Sequence, residues 1–135
     1  MAHVALTAVG TRGDVQPLLA IASALASRGA RVSFLTHAAH FSWCVAALPS
    51  ASFVDVGPTV ASMRARGDAP LAKARGVRAT SAALAAVVSQ LHRRWWGAAL
   101  GALGADRPDI VVRNYSNFYT PFLHSTFTLF TLSEL

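Results

Sequence analysis

The apolar positions of this chain fall into short blocks whose period changes from block to block. His3 to Val9 is a continuous apolar, β-branched run that stops at Gly10, the pattern of a buried strand ending in a turn. Beyond Gly10-Thr11-Arg12-Gly13-Asp14, Leu18, Leu19, Ile21, Ala22 and Leu25 recur at three- and four-residue spacing up to Gly29. This predicts an amphipathic helix opened by Pro17 and closed by a glycine cap. Arg31 to Thr36 returns to strand character. Ala38 to Leu48 predicts a short helix ended by Pro49, Ala51 to Val56 a third strand, Ser81 to Leu100 a longer helix, and Ile110 to Arg113 a fourth strand after Arg107-Pro108-Asp109. Strands alternating with helices imply a parallel, doubly wound α/β sheet, Rossmann-like, with helices on its faces.

Two stretches stand outside this alternation. Gly57 to Thr80 carries Gly57, Pro58, Gly67, Pro70 and Gly76, with Arg64, Arg66, Lys73, Arg75 and Arg78 against Asp68, and reads as a long, solvated basic loop. Tyr115 to Leu135 is aromatic and threonine-rich. Its Thr126 to Leu132 run is compatible with a strand, but no helix follows, so residues 1–114 are expected to form the domain and 115–135 an atypical tail.

Composition narrows the class. The chain has 135 residues, is 53% hydrophobic and only 13% charged, which allows one core and excludes a wholly disordered chain. Its formal charge of +6 favours anionic partners without naming them. Cys44 is the single cysteine, so the chain supplies neither an internal disulfide nor a cysteine metal cluster, and a reducing, cytoplasmic setting is expected. The N-terminus lacks the basic residues of a secretory signal, and no uninterrupted apolar stretch is long enough to span a bilayer. Base-stacking aromatics are not interleaved with the cations, which argues against nucleic acid.

The chemistry concentrates after the first strand. In an open parallel sheet, ligands bind beyond the C-terminal strand ends. Here Gly10 and Gly13 allow close backbone approach, the following helix start offers free N–H groups, and Arg12 adds a cation. The loop has neither the third glycine of a dinucleotide fingerprint nor the lysine of a phosphate loop. Asp14 has two readings, an N-terminal cap of the helix or a general base facing the crevice. His37 and Asn114, at the ends of the second and fourth strands, are candidates to face the crevice, and Trp95 and Trp96 with Tyr115, Phe118 and Tyr119 to form an apolar acceptor pocket; core packing is the alternative for the tryptophans, and a structural hydrogen bond for the histidine. His40 and His92 read as surface residues. His37 and His40 are three apart but lack a third ligand, so no metal site is expected.

The loop Gly10-Thr11-Arg12-Gly13-Asp14-Val15-Gln16-Pro17, followed by Leu19-Ala20-Ile21-Ala22, Leu25, Gly29, Val32, Thr36-His37 and Phe41, resembles the N-terminal signature of glycosyltransferase family 28, found in sterol glucosyltransferases and antibiotic-aglycone glycosyltransferases. Ala30 departs from it, since relatives usually carry histidine there. The likeness is strong over residues 3 to 57 and fades beyond. It implies the acceptor-side N-terminal half of a two-domain GT-B fold, with a C-terminal donor-binding half missing from this chain. It further implies inverting transfer of a hexose from a nucleotide diphosphate sugar, expected to be UDP-glucose, to a lipid or sterol hydroxyl, without a cofactor or metal. Asp14 then aligns with the proposed base, and Gly10, Thr11, Arg12 and Gly13 lie near the donor diphosphate. The basic segment suits peripheral membrane contact. The rival expectation is a non-catalytic Rossmann-like remnant or interaction module, inactive for want of a donor domain.

Overall fold

The computed structural model describes residues 1–65, 75–115 and 126–131. Five strands form one sheet in the order β3-β2-β1-β4-β5: β1 His3–Thr7, β2 Arg31–Thr36, β3 Ser52–Asp55, β4 Ile110–Tyr115 and β5 Thr126–Thr131. The first four are parallel, with Val4 beside Val32 and Ile110 and Thr7 beside Leu35 and Arg113. The fifth pairs antiparallel with β4, Asn114 facing Phe127. The chain runs outward from β1 to β3 and returns on the other side of β1. The C-terminal ends of β1 and β4 thus flank the point where the winding reverses, which is where such sheets bind ligands.

The helices are α1 Arg12–Ala26, a 3₁₀ turn at Ala38–His40, α2 Phe41–Ala47, α3 Val60–Ala65 and α4 Val77–Ala105. Successive strand residues point to opposite faces, and the core divides accordingly. Val4, Leu6, Val32 and Phe34 pack with Val15, Leu18, Leu19 and Ala22 of α1 and Cys44 of α2. Ala5, Leu35 and Val111 pack with Val87, Leu91, Trp95, Ala99 and Leu103 of α4. That α4 stripe repeats every fourth residue, one helix face laid on the sheet. Full burial of a side chain such as Phe34 or Leu18, both 0% exposed, contributes roughly 1.5–3 kcal/mol.

Two expectations are revised. The first helix begins at Arg12, with Thr11 as its N-cap, and Pro17 lies inside it. The proline is tolerated because it and Gly13, whose carbonyl loses its helical donor, are both exposed to water. The stretch expected to be one loop contains α3 and the first turn of α4, so the long helix starts at Val77 and runs to Ala105. Arg66 and Lys73 lie outside the described residues. The Thr126 to Leu132 run, read as compatible with a strand, contributes β5 to the same sheet; residues 116–125 and 132–135 lie outside the described set.

At the N-terminal edge of the sheet, the His3 N–H donates to Asp109 Oδ2 at 2.7 Å and the Asp109 N–H to the His3 carbonyl at 2.8 Å, joining β1 to β4. The buried His3 ring accepts from Arg31 at Nδ1, 2.7 Å, and donates from Nε2 to Ser33 Oγ, 2.8 Å. Arg31 also makes a two-pronged pair with Asp106, 2.9 Å for each bond, and this donation holds the Asp106 carboxyl below its usual range.

Candidate functional site

Gly10 sits at the mouth of β1 with φ +122°, a conformation L side chains rarely adopt. A side chain is excluded there for a second reason, because a Cβ would collide with the Asp14 carboxylate. Gly13, read with Gly10 as allowing close backbone approach, has no positive φ and belongs to the first turn of α1. The special backbone geometry of the loop therefore rests on Gly10.

Asp14 is the third residue of α1, and its Oδ2 reaches back to accept from the Thr11 N–H at 2.7 Å and from the Thr11 hydroxyl at 2.8 Å. This is the reciprocal arm of a capping box, which satisfies donors at the helix start. The carboxylate is half-buried, and both bonds engage the same oxygen; among the described residues Oδ1 has no hydrogen-bond partner. The capping reading of Asp14 is therefore realised in the fold, with one oxygen outside the box.

A cavity of about 360 Å³ lies against this turn, lined by Gly10, Thr11, Arg12, Ala39, His40, Thr59 and Ala61. Asp14 is not on its wall; the carboxylate lies against Gly10 and Thr11, which are. Arg12 is exposed, its guanidinium 4.9 Å from the centre of the Trp43 ring, so a cation–π contact orients it. A second cavity of about 380 Å³ shares Ala39 and Thr59 with the first and is bounded by Asp55, Gly57, Ser62 and Arg94.

Two histidines hold Gly10, one at its N–H and one at its carbonyl. The His37 ring, 0% exposed, accepts from the Gly10 N–H at Nε2, 3.0 Å, and donates from Nδ1 to the Gly57 carbonyl, 2.8 Å. His40 donates from Nε2 to the Gly10 carbonyl, 3.0 Å. The rings meet edge to face at 5.7 Å, and Trp95 stands 5.0 Å from His37. Asp55 Oδ1 accepts from the N–H groups of Ala38 and Gly57, both 2.9 Å, which ties the end of β3 to the start of the 3₁₀ turn. Burial pushes the His37 ring below its usual value, against the opposing pull of the Gly57 bond. Burial also raises the Cys44 thiol to about 11 despite the nearby Arg12, so this cysteine is an inert part of the core.

The residues expected around an acceptor separate. His37 lies beneath the crevice instead of lining it, since both ring nitrogens serve backbone groups that the turns would otherwise leave unpaired. Trp95 is 4% exposed and donates its indole N–H to the Pro58 carbonyl at 2.9 Å, so it belongs to the core and anchors the β3–α3 connection. Trp96 is half-buried, with the Arg113 guanidinium 5.1 Å above its ring. Asn114 lies at the end of β4; its side chain is outside the described set. The sequence reading made His40 a surface residue and passed over Asp55, Trp43 and Arg113. The one available signal was the His37–His40 spacing, and in the fold both rings bond the Gly10 backbone.

The doubly wound sheet, with its switch point at β1 and β4, is that of the N-terminal half of a GT-B glycosyltransferase fold. The structure is similar to that of CalG4, the calicheamicin glycosyltransferase, with a TM-score of 0.66 and 25% identity over 84% of this chain and 26% of that chain. Residues 4–57 match the glycosyltransferase family 28 N-terminal domain, and the resemblance carried by the Gly10–Pro17 loop is borne out. The chain spans about a quarter of the length of that structural relative. No curated protein matches it.

Proposed function

We propose that this chain is the acceptor-side half of a glycosyltransferase that moves a hexose from a nucleotide diphosphate sugar, UDP-glucose in the simplest case, to a hydroxyl of a lipid or sterol. The observation that carries this reading is the Gly10–Asp14 turn: a carboxylate with one oxygen outside its capping box, beside a cavity, at the reversal point of the sheet. In the proposed chemistry Asp14 Oδ1 accepts the proton of the acceptor hydroxyl as its oxygen attacks the anomeric carbon from the side opposite the leaving diphosphate, inverting that centre. The free N–H groups at the start of α1 and the Arg12 guanidinium meet the negative charge of the diphosphate. A second, donor-binding half completes the site, so the 135 residues alone are expected to be inactive. The acceptor lies in the paired cavities; Trp96 and Asn114 remain proposed contributors to its binding. We place the protein in the cytoplasm, with its basic segment against an anionic leaflet.

The test is Asp14→Asn in the protein joined to a donor half, with radiolabelled UDP-glucose and a sterol. Transfer is expected to fall by at least about a hundredfold while donor binding persists; retained turnover removes Asp14 from the mechanism. Engagement of Asp14 Oδ2 by Thr11 favours a second reading, a non-catalytic module in which this acid only caps α1. That reading predicts no transfer from the wild-type protein even with a donor half present. Replacing Arg64, Arg66, Lys73, Arg75 and Arg78 with serine is expected to weaken flotation with anionic vesicles, and unchanged binding refutes the membrane proposal.

A further inference from the structure

The two histidines on Gly10 respond differently to a proton. His40 donates to the Gly10 carbonyl, and an imidazolium donates equally well from the same nitrogen. His37 accepts from the Gly10 N–H while donating to Gly57. It can do both only as the neutral ring with its proton on Nδ1, because protonation converts Nε2 into a donor facing another donor. We propose that His37 is a positioning residue that fixes the Gly10 turn only in its neutral form, so that protonation of this ring releases the turn and, with it, the Thr11–Asp14 box.

The surroundings give such a proton little compensation. From the 3₁₀ turn, the His40 ring stands at 5.7 Å and opposes a second positive charge. From β3, Asp55 attracts one, but its Oδ1 is already shared by the Ala38 and Gly57 N–H groups. From α4, Trp95 presents an uncharged ring at 5.0 Å, and Arg94 reaches close to Gly57. From α1, Asp14 lies against Gly10 but is bound to Thr11, and Arg12 is drawn to Trp43. The ring is fully buried, so its accepted proton cannot be shared with water without opening the turn. Release is local in kind: Gly10 is joined to β1, whose backbone is held by β2 and β4 independently of the histidine.

The clasp stands on its own geometry; only its consequence for transfer, an acceptor site disordered at low pH, rests on the function proposed above. The experiment therefore reads the turn and not the reaction. The full chain, labelled with ¹⁵N, is titrated from pH 7.5 to 4.5 while the His37 ring nitrogens and the exchange of backbone amides are followed by NMR. The expected result is a neutral His37 with its proton on Nδ1 and a protected Gly10 amide at pH 7.5. As His37 titrates, Gly10 exchange corrected for intrinsic rate accelerates about tenfold, the loss of one hydrogen bond, while the Leu6 and Phe34 amides stay protected. In His37→Gln, whose side-chain oxygen accepts near the Nε2 position without titrating, Gly10 protection is expected to be independent of pH. If that variant does not fold, the wild-type titration decides alone. The proposal is overturned by unchanged Gly10 protection through the His37 titration, by simultaneous loss at Leu6 and Phe34, or by a His37→Gln profile that follows the wild type.

Discussion

The two ends of β1 each hold a buried histidine, and the two are used in opposite ways. At the N-terminal end the His3 ring meets chiefly side chains, Arg31 at Nδ1, 2.7 Å, and Ser33 at Nε2, 2.8 Å, with the Arg107 carbonyl at a longer 3.3 Å. At the C-terminal end His37 carries its proton on Nδ1 and bonds to the backbone of two loops. The first lies where strands are already in register and reinforces contacts that the sheet makes without it. The second supplies partners that Gly10 and Gly57 do not find in the ladder, so the shape of the ligand-side loops depends on one ring. A histidine tied to side chains braces a scaffold, whereas one tied to orphan backbone groups determines a conformation.

The comparison breaks most directly by truncation. His37→Ala leaves the Gly10 N–H and Gly57 carbonyl unpaired in a buried space and opens a cavity, and is expected to lower unfolding stability by about 3 kcal/mol in urea. A loss no larger than that of a surface substitution would erase the distinction between the two ends. Gly10→Ala comes next, at roughly 2 kcal/mol, since both the backbone angle and the Asp14 carboxylate oppose a Cβ. Pairing it with Asp14→Ala in a double-mutant cycle is expected to recover part of that loss, and strict additivity would mean the collision is not felt.

The pH dependence sharpens the contrast. The folded His37 ring is held below its ordinary value, so the unfolded chain binds the proton more tightly. Stability is then full above about pH 6.5 and falls as the pH drops toward the folded value, by at most about 1.4 kcal/mol per unit from this group. Denaturation midpoints measured from pH 7.5 to 5 check this, and His37→Gln is expected to flatten the slope. At the other end, Ser33→Ala removes the acceptor of the His3 Nε2–H and is expected to cost about 1 kcal/mol. Asp106→Asn is the smallest change. Its exposed pair with Arg31 is screened by water and salt, and its contribution is lost only as the pH falls through the depressed carboxyl value, below the window in which His37 acts. A loss that persists in 1 M salt would mean the scaffold end relies on that pair more than its exposure suggests.

Much of this architecture was legible from local pattern alone. Apolar blocks that change period identify β1, β2, β3 and β4, and the Gly10-Thr-Arg-Gly-Asp-Val-Gln-Pro run marks both the turn at the mouth of β1 and the family resemblance, because backbone preference and hydrophobic periodicity are properties of neighbouring residues. What the sequence could not contain was which distant groups would meet. Gly10 and His37 are brought together only when β1 and β2 pair in register, and Trp95 reaches Pro58 only when α4 packs on the sheet, so a histidine that reads as lining a pocket becomes the support beneath it. Pro17 does not start the helix for a related reason: whether a helix begins before a proline depends on how its N-terminus is capped, and here the Asp14 carboxylate accepts from the N–H and hydroxyl of the N-cap Thr11. Spacing along the chain determined the elements. Long-range pairing decided which of their polar groups were left without partners, and so which side chains were needed to complete them.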